Sequence, residues 1–123
     1  MKEKPHKNLD AWKNGIELTV KTYRLTDQLP EAEKFGLTSQ MRRAAVSIAS
    51  NIAEGAARNT TKEFIQFLHT AQASLSELDT QVIICKHLGY FPDNALKSYD
   101  EQMENESKLI SGIIKYLKKK DES

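Results

Sequence analysis

From Thr61 to Leu88 the chain runs 28 residues without glycine or proline. Along it, apolar side chains recur in alternating steps of four and three: Phe64, Leu68, Ala71, Leu75, Leu78, Val82 and Cys85. A period of 3.5 residues is the mark of a helix that packs along one seam against other helices in a left-handed bundle. The ends of the stretch are signalled as well. Thr60 followed three residues later by Glu63 forms a capping box, in which the threonine oxygen bonds the Glu63 backbone and Glu63 reaches back. Gly89 is placed for a left-handed terminator, with Phe91 packing back on the last turn. A helix of this length sets an all-α class for a chain of 123 residues, which is the size of one domain. With 5 Gly and 3 Pro, turn residues are too few for a β-sandwich or barrel.

The same punctuation separates three further helices, expected over residues 9–29, 38–55 and 93–119, beside the long one at 61–88. The first carries two apolar stripes. Leu9, Trp12, Ile16, Val20 and Tyr23 form one, and Ala11, Leu18, Leu25 and Leu29 lie nearly opposite at 100° per residue. Two apolar stripes are unusual for the surface of a small monomer, so either both serve a wide core contact or one faces the core and the other a partner chain. Ala11, Leu18, Leu25 and Leu29 are assigned to that partner interface. The second helix has a core stripe of Leu37, Met41, Ala45, Ile48 and Ile52, flanked by Ala44, Ala49 and Ala53, small enough for close helix approach. Gly55 is expected to end it as a left-handed cap. The fourth begins near Asp93, an N-cap type, and repeats the seam through Leu96, Tyr99, Met103, Ile110, Ile113 and Leu117, interrupted at Glu106. Short links between four such helices predict an antiparallel up-down-up-down four-helix bundle over residues 9–119. A basic arm (1–8) precedes it and a short tail (120–123) follows. The longer third and fourth helices should overhang the shorter pair.

Reactive chemistry is sparse. The single cysteine, Cys85, falls on the core seam and reads as a small buried hydrophobe. A di-iron bundle needs Glu-x-x-His pairs on two helices. That spacing occurs here at Glu3 and His6, around Pro5, where no helix can hold it. His69 and His87 share a face but stand about 27 Å apart along the axis. No phosphate loop or dinucleotide fingerprint is present, and the cluster Asp100, Glu101 and Glu104 reads as a solvated face. No cofactor, metal or enzymatic activity is expected. The opening residues show no apolar run, so neither a secretory signal nor a membrane segment is expected, and the expected location is cytoplasmic.

Three stretches together carry a resemblance. They are Leu9-Asp10-Ala11-Trp12-Lys13; residues 35–55, containing Met41-Arg42-Arg43-Ala44-Ala45 and Asn51-Ile52-Ala53-Glu54-Gly55; and residues 62–68, continued by Ser74-Leu75-Ser76-Glu77-Leu78-Asp79-Thr80-Gln81 and Leu88-Gly89-Tyr90. With these the chain resembles the four-helix-bundle proteins encoded in intervening sequences of some bacterial 23S ribosomal RNA genes, from about Leu9 to Leu117. The resemblance implies a homopentamer. It also implies kinship with the accessory protein of diversity-generating retroelements, a pentameric bundle that binds nucleic acid and a reverse transcriptase. This chain has Ile48-Ala49-Ser50 where the family often has a central proline. It is also near neutral where the retroelement proteins are strongly basic.

The charge is uneven. Residues 1–60 hold 10 Lys and Arg against 7 Asp and Glu, a net of +3, whereas residues 61–123 hold 8 against 10, a net of −2. A polynucleotide surface is therefore expected on the first half, from Lys2, Lys4 and Lys7 in the arm and Arg42, Arg43, Arg58 and Lys62 on the bundle. Arginine suits phosphate because its planar fork donates two bonds at once. A structural reading of the same residues stands beside it: Arg43 paired with a carboxylate of another helix, and Ser47, Ser50 and Asn51 bonded across a tight helix contact. Two functions follow. One is a non-enzymatic homo-oligomer associated with RNA. The other is a protein-interaction scaffold with no nucleic-acid role.

Overall fold

The computed structural model describes His6, residues 9–92 and residues 94–122. Four helices carry the fold: α1 (Asp10–Thr26), α2 (Leu37–Ala56), α3 (Thr61–His87) and α4 (Lys97–Glu122), with one 3-10 turn at Glu31–Glu33. No strand occurs among the described residues. Helix α1 packs on α2 and α4, and α3 packs on the same two.

The contacts run in opposite order along each adjacent pair, so every neighbour is antiparallel. Between α1 and α2, Thr19 Oγ1 donates to the Ala45 carbonyl at 3.1 Å and Arg42 Nε to Thr26 Oγ1 at 2.9 Å. Between α2 and α3, Gly55 faces Phe64 and Phe67, Ser47 bonds Ser74 at 2.8 Å, and Met41 meets Cys85. Gln72 reaches Ser111 and Lys86 reaches Asp100 between α3 and α4. Asn14 bonds Glu106 and Thr22 bonds Tyr99 between α1 and α4. The expected up-down-up-down bundle is the structure.

Helix ends follow local chemistry. Thr60 Oγ1 accepts the Glu63 amide at 3.1 Å, as the capping box requires. The return half differs: the Thr60 hydroxyl donates to the Glu63 carboxylate at 2.9 Å. Gly89 takes φ +77°, and the Tyr90 amide bonds the Cys85 carbonyl while the Gly89 amide bonds that of Lys86, a Schellman terminator. Helix α1 stops at Thr26 rather than near 29, because bonds from Gln28 to Leu25 and from Leu29 to Thr26 tighten the chain ahead of Pro30. Helix α4 starts at Lys97, not 93, after a turn in which Ala95 bonds Pro92. Asp93, expected as its N-cap, lies outside the described residues.

Gly55 corrects the expectation of a left-handed cap. It sits within α2, buried, and a Cβ there would lie 2.8 Å from Phe67 Cβ and 2.8 Å from Phe64 Cδ1. The glycine is there for close approach: it admits two phenylalanines of α3 against the backbone of α2.

The core contains Leu18, Met41, Ile48, Ile52, Leu68, Leu78, Val82, Cys85 and Ile110, all at 0–1% exposure. Burying each large aliphatic side chain of this set contributes about 1.5–3 kcal/mol. Replacing Gly55 with Ala should destabilise the bundle by about 1–3 kcal/mol, since the methyl must displace a ring or the backbone. Gly112 is exposed on α4, and a Cβ there meets nothing within 4 Å. Gly112→Ala should therefore stabilise by about 0.5–1 kcal/mol. Urea denaturation of the two variants measures both.

Candidate functional site

The assignment of Ala11, Leu18, Leu25 and Leu29 to a partner interface is corrected by their burial. Their exposures are 1%, 0%, 9% and 8% within the single chain, so they have no surface to offer. The stripes are reversed: Ile16, Val20 and Tyr23 are the outward ones, at 42%, 44% and 43% exposure. The reason lies in the residues between the leucines. Gly15, Thr22 and Thr26 complete the inward face. The two threonine hydroxyls are satisfied by the carbonyls four residues back, Thr22 to Leu18 at 2.7 Å and Thr26 to Thr22 at 2.8 Å. Polar side chains that close their own hydrogen bonds are buried without penalty, and hydropathy alone does not mark them.

The basic residues divide into three groups. Lys2, Lys4 and Lys7 lie outside the described residues. Arg42 is committed to α1: it donates to Thr26 Oγ1, to the Tyr23 carbonyl at 3.2 Å and to Asp27 at 2.8 Å, and its guanidinium stacks on the Tyr23 ring 4.6 Å from the centroid. It satisfies the carbonyl end of α1, a structural role. Arg43, Arg58 and Lys62 are exposed and form no ion pair with other described residues. The pairing with a carboxylate proposed for Arg43 is therefore not found there. Arg58 stacks over Phe67 at 4.7 Å. Arg58 and Lys62 share the α2–α3 end, whereas Arg43 stands roughly 20 Å away towards the other end of α2. Ser47 and Asn51 bridge to Ser74: Asn51 Nδ2 donates to the Ser47 carbonyl and hydroxyl at 2.7 and 2.9 Å. Ser50 is exposed.

A polar seam between α1 and α4 holds the most perturbed group. Glu106 is fully buried, and its Oε1 accepts from Asn14 Nδ2 at 3.1 Å. Asn14 also bonds the Gln102 carbonyl, and Gln102 Nε2 donates back to Asn14 Oδ1 at 3.1 Å and to Glu17 at 3.3 Å. Glu106 Oε2 and Gln102 Oε1 have no hydrogen-bond partner among the described residues. Oε2 lies against Gly15, where a Cβ would be 2.8 Å away. Desolvation raises the Glu106 carboxyl to about 7, opposed by the Asn14 hydrogen bond. The interruption of the α4 seam at Glu106, with Gly15 inside α1, was the sequence signal for this cluster. Neither residue belongs to the basic or apolar patterns of the chain.

Burial raises the Cys85 thiol, and its Sγ contacts Met41 Sδ. No three His, Cys, Asp or Glu side chains among the described residues converge to hold a metal. No described helix is long and apolar enough to cross a membrane.

Fold and surface thus define an antiparallel four-helix bundle with structural polar networks and a few uncommitted arginines and lysines. Residues 7–112 match the family of 23S rRNA-intervening sequence proteins, and the chain belongs to it. No curated protein matches. Among solved structures, a protein of unknown function from the S23 ribosomal protein family of Bacteroides thetaiotaomicron matches at 23% identity, over 87% of this chain and 94% of that one, with a TM-score of 0.63. At that identity the likeness establishes the shared fold.

Two measurements separate structure from surface here. Arg42→Ala should cost about 1–3 kcal/mol, because the charge-assisted bond to buried Thr26 and the contacts at the carbonyl end of α1 are lost, whereas Arg43→Ala should stay within about 0.5 kcal/mol. Glu106 has its folded value, about 7, above the ordinary 4.5. Its contribution to stability is therefore complete below pH 4.5, declines between 4.5 and 7, and is gone above 7. The loss is on the order of 3 kcal/mol. Glu106→Gln should remove that decline, so that denaturation at pH 4.5 and pH 8 shows the variant gaining on the wild type as pH rises.

Proposed function

We propose that this chain is a non-enzymatic, self-associating helical bundle that acts with RNA, in the cytoplasm. The observation that carries the reading is membership in the 23S rRNA-intervening sequence family, joined to a surface with cations to spare. Arg43, Arg58 and Lys62 project from the bundle with no carboxylate partner among the described residues. The Arg58 guanidinium lies over the Phe67 ring, and a guanidinium suits both phosphate and a stacked base. Lys2, Lys4 and Lys7 add charge at the chain start. Because these cations lie at both ends of α2, one subunit offers separate weak contacts. Repetition in a homo-oligomer, a pentamer by family resemblance, combines them through multivalency.

Self-association is assigned to the outward stripe of α1. Ile16, Val20 and Tyr23 follow one another at helical spacing, each more than 40% exposed, with half-buried Trp12 beside them. Such a row on a surface helix is the pattern of a helix-to-helix contact. A second reading, a protein scaffold without a nucleic-acid role, is favoured by the consumption of Arg42 in the bundle and by the net charge of +1.

Light scattering and RNA binding across a salt series test both. The wild type should scatter as an oligomer, and affinity for structured RNA should fall steeply with salt as counterions are released. Arg43→Ala with Arg58→Ala should weaken binding and flatten the salt slope with the oligomer intact. Ile16→Lys with Val20→Lys should lower the assembly state while helicity is kept. No RNA binding at low salt would leave the scaffold reading.

A further inference from the structure

A groove of about 700 Å³ runs between α3 and α4. Two cross-links close its ends. Gln72 Nε2 donates to Ser111 Oγ at 3.1 Å, and Lys86 Nζ meets Asp100 Oδ2 at 2.7 Å. These links stand 14 residues apart on α3 and 11 apart on α4, so the trough between them is roughly 16–21 Å long. Small side chains keep it open: Ser76 lines it from α3 and Ser107 from α4. Leu75 and Met103 lie beneath, each almost buried, and Ile83 stands 45% exposed on the α3 wall.

The charge on this trough is opposite to that of the surface assigned to RNA. Asp79, Asp100 and Glu104 line it, against one cation, Lys86, which Asp100 already engages. Glu104 approaches Lys108 only at 3.8 Å with both side chains more than 70% exposed, a contact too weak to occupy the carboxylate. A phosphate backbone is repelled here. An apolar wall at Ile83 with acidic edges is complementary to an apolar side chain flanked by cations.

We infer that the trough docks an amphipathic basic segment of another protein. One large apolar side chain of that segment sits against the exposed Ile83, and a flanking Lys or Arg reaches Asp79 and Glu104. The length admits about three turns of helix, the helix-in-groove mode of recognition. The inference stands apart from RNA binding, which uses other residues of opposite charge.

The test uses the full chain and a 12-residue helical peptide with leucines on one face flanked by lysines, beside a twin with every lysine replaced by glutamate. The readout is the methyl resonances of Met103 and Ile83. The lysine peptide should shift both saturably, and the glutamate twin should shift neither. Asp79→Lys with Glu104→Lys should weaken the peptide at least tenfold. Ser76→Trp, at an exposed position, should fill the trough and abolish binding with the fold intact. Shifts scattered over the surface, or unchanged affinity in Ser76→Trp, would overturn the proposal. So would a changed sedimentation of Ser76→Trp alone, which would make the trough an interface between copies, or movement of the same methyls by a single-stranded RNA. Failure of RNA binding in the wild type would leave the methyl result standing, so the two readings fail separately.

Discussion

Small side chains on α2 hold the bundle close. Ala44, Ala45, Ala49 and Gly55 are buried along it, and each gives a neighbouring helix access to backbone rather than to side chain. Towards α1, this lets the Thr19 hydroxyl reach the Ala45 carbonyl directly and brings Ala49 within 3.4 Å of where a Gly15 Cβ would be. Towards α3, it seats Phe64 and Phe67 against Gly55. At close range dispersion contacts are many and voids few. The short distance also makes a side-chain hydroxyl long enough to cross-link two helices, as Ser47 and Ser74 do. Helix α2 is thus the element against which α1 and α3 are placed, and its polar network fixes register with α3.

The α3–α4 pair is built differently. Its cross-links are long side chains at the ends, Gln72 to Ser111 and Lys86 to Asp100, with serines between them. Long links with small residues between them leave space, where small residues alone remove it. One fold therefore contains a tight half, which supplies stability, and an open half, which supplies a surface. Charge also differs along the chain, with the basic excess in the first 60 residues and the acidic excess in the rest.

The seam of α3 and its terminators were legible because they rest on local rules: period, cap and a left-handed glycine. Thr60 and Gly89 stand where those rules put them. What the sequence left open was which of two apolar stripes on α1 turns inward. Leu18, Leu25 and Leu29 turn inward, and Thr22 and Thr26 can join them because each satisfies its own hydroxyl. The roles of the arginines were hidden for a similar reason. Arg42 and Arg43 are adjacent in the chain, but 100° of helix rotation sends the first to the end of α1 and the second to solvent. Glu106 and Gly55 were visible as irregularities, and only the neighbouring helix shows what each is for.

The contact between Glu106 and Gly15 has an evolutionary corollary. The carboxylate oxygen occupies the volume that any side chain at position 15 would need. The two positions share one volume. A residue larger than glycine at 15 must move that carboxylate, and a shorter one at 106 leaves a void beside Gly15. Two sites 91 residues apart in the chain are coupled through this contact. Sequences that share this fold should therefore drift along paths on which the pair exchanges bulk together, carrying Asn14 along while a carboxylate remains at 106 and releasing it once the carboxylate is lost.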